Sequence, residues 1–148
     1  MLVCEILDTG VPSAKKSDSV RSVVVKIISR DCAMVPVVDD DGRLVGVISI
    51  RDVMLPLYPN YGDYIHDSVN SRDFEEMEGG YARVLERKAG EIMTPNPMTV
   101  SLYDPILKAA SYMGLKNLRR IPVLEDGKYV GVVGITDVNK ALFFNNSK

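Results

Sequence analysis

The sequence predicts a mixed α/β (α+β) fold in which two β-α-β-β-α repeats pack with pseudo-twofold symmetry. Three observations lead there. Residues 4–54 lie over residues 90–139 at an offset of about 86 that shortens by one in a turn, and self-similarity at a fixed period marks a repeated supersecondary unit. Each half carries one stretch of apolar residues at helical spacing. Each half then closes with two short apolar runs joined by an acidic, glycine-containing turn, the pattern of a β-hairpin.

Each repeat opens on a matched triplet, Glu5-Ile6-Leu7 over Glu91-Ile92-Met93. A short strand is expected next, ending at Ser13 in the first repeat and Thr99 in the second. The long helix follows. Asp18 suits its N-cap, and Val20, Val23, Val24, Ile27 and Ile28 keep the i, i+3, i+4, i+7, i+8 spacing of one buried face. In the second repeat Asp104 is the expected cap, Pro105 takes the favoured first helical position, and Ile106, Ala109, Ala110 and Met113 repeat the stripe.

The apolar runs at 34–38 and 44–50 flank Asp39-Asp40-Asp41-Gly42, and those at 121–124 and 129–135 flank Glu125-Asp126-Gly127-Lys128. Val35-Pro36-Val37-Val38 thereby falls on Ile121-Pro122-Val123-Leu124, the sequence 42–48 on 127–133, and Asp52-Val53 on Asp137-Val138. One additional Asp in the first turn absorbs the slip. That triple Asp reads as a solvated turn, because the other ligands of a calcium loop are missing. A short helix closes each repeat.

A repeat of about 50 residues has too little surface to bury alone, so the copies should pack on each other, sheet against sheet with helices outside. The expected division is a first repeat at 1–56, an insertion at 57–88 and a second repeat at 89–148, together one module. The insertion carries Tyr58, Tyr61, Tyr64 and the sole histidine, His66, for which a surface role is expected. Its later part has a helical pattern broken by Gly79-Gly80. It reads as slack or a contact surface rather than a lid.

With 148 residues, 46% hydrophobic and 26% charged, the chain is long enough for a real core and matches globular averages. The longest apolar stretches, at 23–28 and 130–135, fall far short of the ~20 residues that span a bilayer. Residues 1–9 contain Glu5 and Asp8 and lack the basic start of a secretory signal, so a cytoplasmic location is expected. Cys4 and Cys32 have no metal or redox spacing and are expected as reduced, half-buried thiols. A net charge of −2 offers a polyanion no general attraction, so nucleic acid is not an expected partner. One histidine rules out multi-histidine metal binding, and the chain has neither a nucleophile–base pair nor a GxxxxGK phosphate loop, so an enzyme is not expected.

The residues with chemistry to offer stand where strand turns into helix. Ser49, Asp52 and Asp137 are ordinary N-caps at such a place. An ionised Asp there can equally accept hydrogen bonds from two vicinal hydroxyls, and a hydroxyl or backbone amides at a helix start suit an anion.

This double pattern resembles the CBS domain pair, or Bateman module. The resemblance rests on the Val-Pro-Val-Val and Ile-Pro-Val-Leu strands, each followed by an acidic glycine turn and then Gly-x-x-x-x-x-Asp. It implies a non-enzymatic sensor with no cofactor, whose regulatory ligand is AMP, ADP, ATP or S-adenosylmethionine, bound in clefts between the repeats. It further implies ribose hydroxyls at Asp52 and Asp137 and a phosphate at Ser49. Gly134 stands where the second hydroxyl residue belongs, Thr136 is one place out of reach, and Arg119 and Arg120 offer charge-assisted compensation. Lys15, Lys16 and Arg51 would help the first site. Met34, Val35 and Ile121 are candidates for an adenine slot, and Ser13 and Thr99 for its base edge. Homodimerisation and an unidentified regulated protein partner are implied as well. A second reading is a ligand-free structural module that dimerises or docks on an enzyme or transporter.

Overall fold

The computed structural model describes residues 1–58 and 74–146. A 3₁₀ turn at Val3–Glu5 leads to helix α1 (Val20–Arg30), strands β1 (Met34–Val38) and β2 (Leu44–Ser49), short helix α2 (Ile50–Met54) and a 3₁₀ turn at Leu55–Leu57. Helices α3 (Phe74–Gly79) and α4 (Tyr81–Leu85) follow. The second repeat comprises α5 (Ala89–Ile92), β3 (Thr94–Pro95), β4 (Val100–Ser101), α6 (Ile106–Lys116), β5 (Arg120–Glu125), β6 (Lys128–Gly134) and α7 (Ile135–Asn146). No helix among the described residues is long and apolar enough to cross a membrane.

The long helices bury the expected stripes: Val20, Val23 and Ile27 on α1, and Ile106, Ala109 and Met113 on α6. Ile28 is the exception, with 74% exposure. Eight positions after Val20 the helix has turned about 80° off the buried line, and the side chain emerges. The caps also differ from expectation. Ser19 caps α1 by accepting from Ser22 N, and Pro105 is the N-cap residue of α6 rather than its first helical residue. Asp18 and Asp104 instead accept the amides of Lys15 and Ser101, three residues back, and so close the turn that aims each helix. The Ser101 amide holds the Asp104 carboxyl below its ordinary range. Both helices end on a left-handed residue, Asp31 and Asn117, at equivalent positions.

Each hairpin adds a neighbour at either edge. One sheet has the order β1-β2-β3 and the other β4-β5-β6. The parallel pairing of β4 with β5 has its counterpart in a single parallel bridge from Ala14 to Val37. Ser13 and Thr99 therefore precede the short strand instead of ending it. In the first hairpin turn, Asp39 accepts the amides of Asp41 and Arg43. The Arg43 amide is the main cause of its lowered pKa.

At the other edge the repeats exchange chain. β3, which begins the second repeat, pairs with β2 of the first at Gly46↔Pro95 and Val47↔Thr94. The equivalent Asp8 pairs with Val132 of β6 through two hydrogen bonds of 2.9 and 3.0 Å. The preceding turns cross in the same way: Val3 N and Cys4 N donate to Asp104 and Leu102, as Ala89 N and Gly90 N donate to Asp18 and Lys16. The result is two cores, each completed from the other repeat. Val3, Ile6 and Leu7 pack with Val100, Ile106, Met113, Ile121 and Val133. Ala89, Ile92 and Met93 pack with Val20, Val23, Val35, Val37 and Ile48.

Backbone crosses backbone closely at these junctions, which accounts for one glycine in each hairpin. A Cβ on Gly131 would lie 2.6 Å from Asp8 O and 2.8 Å from a Leu7 methyl; one on Gly46 would lie 2.6 Å from Met93 Sδ and 2.9 Å from Thr94 O.

The closing helices are unequal. α2 has five residues, whereas α7 has twelve and is not the short helix expected. The later insertion is not slack, because Val84 is buried in the first core and Tyr81 and Leu85 pack against it. Tyr61, Tyr64 and His66 lie outside the described residues. Neither cysteine is half-buried: both are free, with Cys4 exposed and Cys32 buried.

The hairpin tips also touch. Arg43 bridges Lys128, Tyr129 N donates to Gly42 O, and Tyr129 Oη donates to Val11 O at 3.2 Å. Burial, with the Asp8 carboxylate adding to it, pushes the Tyr129 phenol up to about 12. The folded state thus holds the phenolic proton more tightly than the unfolded chain, whose tyrosines titrate near 10. Its contribution is complete below pH ~10 and is lost as pH rises through about 12. Tyr103, raised chiefly by its hydrogen bond to Glu125, acts in the same direction. Denaturant titrations between pH 9 and 12 should show falling stability in wild type and a shallower fall in Tyr129→Phe.

Candidate functional site

The first site is built where β2 hands over to α2. Ser49 Oγ accepts from Asp52 N at 3.3 Å, and Asp52 Oδ2 accepts from Ser49 N at 2.8 Å and from Ser49 Oγ at 3.1 Å. This is a capping box, so the ordinary structural role of these residues is realised. It is not their whole role. Asp52 Oδ1 accepts from Thr94 Oγ1 at 3.0 Å, and Thr94 arrives on β3 from the other repeat. A half-buried carboxylate therefore sits where the repeats meet. Met34 lies opposite Ser49 in the β1–β2 ladder and is half-buried.

The second site repeats the plan with different groups. Asp137 Oδ2 accepts from Gly134 N at 3.0 Å, but residue 134 has no hydroxyl to add. Arg120 pairs with Gly134 across the β5–β6 ladder, and its Cγ lies 3.7 Å from where a Gly134 Cβ would stand. Arg119 is tied in through its carbonyl, which accepts from Ile135 N at 2.9 Å. Asp8 holds the backbone position of Thr94. Its carboxylate accepts from Gly10 N at 2.8 Å and has no proton to donate to Asp137.

Several expected site residues lie elsewhere. Val35 and Ile121 are fully buried in the two cores and do not line a cleft. Side chains alternate along a strand, and the core takes the odd-numbered positions of β1 and β5. Ser13 stands beside β1, at the opposite edge of the sheet from Thr94, and its carbonyl accepts from Lys26 Nζ. Thr99 lines a separate depression of about 240 Å³ with Asp104, Lys108, Tyr112 and Asp126, and Asp137 is not part of it. Lys15 bonds Asp39 O and pairs with Asp40, and the Lys16 stem lies against Gly90. Arg51 and Thr136 are exposed on the first turns of α2 and α7. Ser49, Asp52 and Met34 are brought together, as are Arg119, Arg120 and Asp137. Sequence reasoning missed Thr94; the signal for it, the 86-residue offset that pairs it with Asp8, becomes informative only once the exchange of segments is known.

The model of the CBS domain matches residues 3–57 and 89–143. A CBS domain-containing protein of Dictyostelium discoideum is 30% identical over 137 residues, covering 89% of this chain and 78% of its own. The chloroplastic CBS domain-containing protein CBSX2 of Arabidopsis thaliana is 30% identical over 135 residues, 86% of this chain, which spans 56% of that relative's length. Among solved structures, the CBS domain of a CBS domain-containing membrane protein from Sphaerobacter thermophilus matches with a TM-score of 0.71 at 26% identity over 95% of this chain and 86% of its own. CBSX2 from Arabidopsis thaliana matches with a TM-score of 0.78 at 23% identity over 99% and 97%. Two matched segments, one in each half of the internal repeat, place this chain in the CBS domain family as a tandem CBS pair.

Proposed function

We propose that this CBS pair is a regulatory module that binds an adenosyl ligand in the clefts where the strand-to-helix aspartate of one repeat meets the crossing segment of the other. The hydrogen bond from Thr94 to Asp52 carries the reading, because a ligand held at Asp52 contacts both repeats and biases their relative orientation. Such a ligand shifts that equilibrium by its differential affinity for the two arrangements and stabilises the fold by mass action. The ribose diol is the natural donor for these carboxylates. Related folds support an adenosyl compound: CBSX2 has been solved in complex with AMP, and the CBS pair of protein MJ0100 with 5′-methylthioadenosine and S-adenosyl-L-methionine. Exposed Ile50, Met54, Ile135, Phe143 and Phe144 on α2 and α7 fit a second copy of the chain, and the output passes to a separate protein partner.

Calorimetric titration with AMP, ADP, ATP and S-adenosylmethionine, with GTP as control, tests the reading. Saturable binding of an adenosyl compound is expected. Asp52→Ala, which removes a half-buried acceptor, should weaken binding at its cleft by about five- to 150-fold. Absence of binding by every adenosyl compound would favour a docking module in which Asp52 serves only as a cap and a tie between repeats.

A further inference from the structure

The insertion gives the first repeat a surface that the second lacks. α2 runs through the 3₁₀ turn at Leu55–Leu57 into a groove of about 750 Å³ between α1, α3 and α4, with Met54, Leu57, Met77, Tyr81 and Leu85 among its lining. Helix α3 makes the rim acidic: Glu75, Glu76 and Glu78 are exposed, and α3 carries no cation. Arg21 also lines the groove, but its guanidinium is already held by Glu86 at 2.8 Å. Leu57 and Tyr58 correspond to Leu142 and Phe143 of the second repeat. There the chain continues as α7 and presents Lys140, Phe143 and Phe144 at i, i+3 and i+4, on one side of the helix. Both phenylalanines are 63% exposed and meet edge to face at 5.4 Å. Lys140 is exposed and pairs with no carboxylate among the described residues, and α7 has no acidic residue after Asp137. An aromatic knob with a positive charge thus occupies in one repeat the place that an acid-rimmed apolar groove occupies in the other.

Resting on the second-copy reading above and not on the ligand, we infer that the chain forms an antiparallel homodimer in which Lys140, Phe143 and Phe144 of each copy enter the insertion groove of the other. A twofold interface makes every contact twice, so the α2 and α7 faces can meet in two ways. Like repeat on like sets the glutamates of α3 against their own copies and aromatic pair against aromatic pair, and it leaves both grooves uncovered. Unlike repeat on unlike fills both grooves and brings Lys140 to α3 on each side. Like charges set face to face oppose association, whereas complementary charges fix its register. Met54 belongs both to the groove and to the exposed face of α2, so the docked knob continues that face without a break. Asp52 stands on the same five-residue helix, and the partner copy therefore abuts the element that builds the first cleft.

The test joins sedimentation equilibrium to disulfide trapping in the full chain, with thermal melts confirming that each variant is folded. Trapping uses a Cys4→Ser background, because Cys4 is exposed and Cys32 is buried. One preparation adds Lys140→Cys and another Glu78→Cys, and each is oxidised alone and after mixing with the other. The mixture should yield a covalent dimer of the two variants, and neither variant should trap with itself. Phe143→Ser/Phe144→Ser should weaken the dimer at least about tenfold, as truncation of a central aromatic anchor does. Trapping of either variant with itself, a dimer that traps in none of the three samples, or an unchanged dimer constant in the double phenylalanine variant would each overturn this inference and leave the second-copy reading standing. A wild type that sediments as a monomer at every concentration would overturn both, whatever the adenosyl titrations show.

Discussion

Gly131→Ala should cost about 3 kcal/mol of folding stability, far more than one methyl group ordinarily does on a strand. The added Cβ meets a backbone oxygen, Asp8 O, at 2.6 Å and the Leu7 side chain at 2.8 and 3.0 Å. Backbone cannot swing aside like the end of a long side chain. Overpacking of this kind costs about 1–3 kcal/mol, and relief requires lengthening the two hydrogen bonds between Asp8 and Val132, each worth about 0.5–1.5 kcal/mol. Urea unfolding should report the loss, and the melting temperature should fall by roughly 6–12 °C. Gly46→Ala should cost less, because its closest contact is the flexible Met93 sulfur and the backbone oxygen it meets, Thr94 O, stands farther off at 2.9 Å. Gly114→Ala supplies the opposite sign. That glycine lies within α6 with nothing inside 4 Å of its Cβ position, and alanine should add about 0.5–1 kcal/mol there. Equal small effects at all three positions would mean that the chain crossing is not tight.

The sequence made the repeat legible because local signals agree within each half. The apolar stripes, the acidic turns and the Pro-containing strands depend on neighbours a few residues away, and the structure realises both hairpins and both long helices. What it left unread is non-local. Glu5-Ile6-Leu7 and Glu91-Ile92-Met93 look alike, but nothing in a triplet says that each belongs to the other repeat's core. The hairpin glycines carried that information in a form that needs the partner segment to decode. Caps were misplaced by one residue for a similar reason: Asp18 and Asp104 are good caps, yet each has a competing amide three residues upstream.

The site divides in the same way. Ser49 and Asp52 were legible because a capping box is local, whereas Thr94, forty-two residues from Asp52, was not. Val35 and Ile121 were expected, with Met34, to form an apolar slot for adenine. Strand alternation instead turns them into the cores, with complete burial. Arg119 and Arg120 were expected beside a phosphate from the resemblance alone. That Arg120 stands opposite Gly134 on the neighbouring strand is something only the β5–β6 register reveals.

A chain lacking residues 1–8 should lose stability mainly in the second repeat, although the deletion lies in the first. Val3 is completely buried there, and Ile6 and Leu7 pack against the same core. One fully buried and two partly buried side chains amount to about 4–6 kcal/mol of lost burial, near the whole stability of a marginal domain. The deletion also removes the bonds to Asp104 and Leu102 and strips one edge of β6 of its partner, Asp8. Hydrogen exchange locates the damage. Amides of α6 and of β6 near Val132 should lose protection first, while β1 and β2, which receive their crossing segment from residues 89–95, should retain theirs longer. Protection lost first from β1 and β2 would mean that each repeat is held by its own opening segment, and the exchanged architecture would be wrong. If the expected pattern is found, the coupling required of a regulatory pair is present in the backbone: neither core can loosen without disturbing a segment that runs directly into the other repeat.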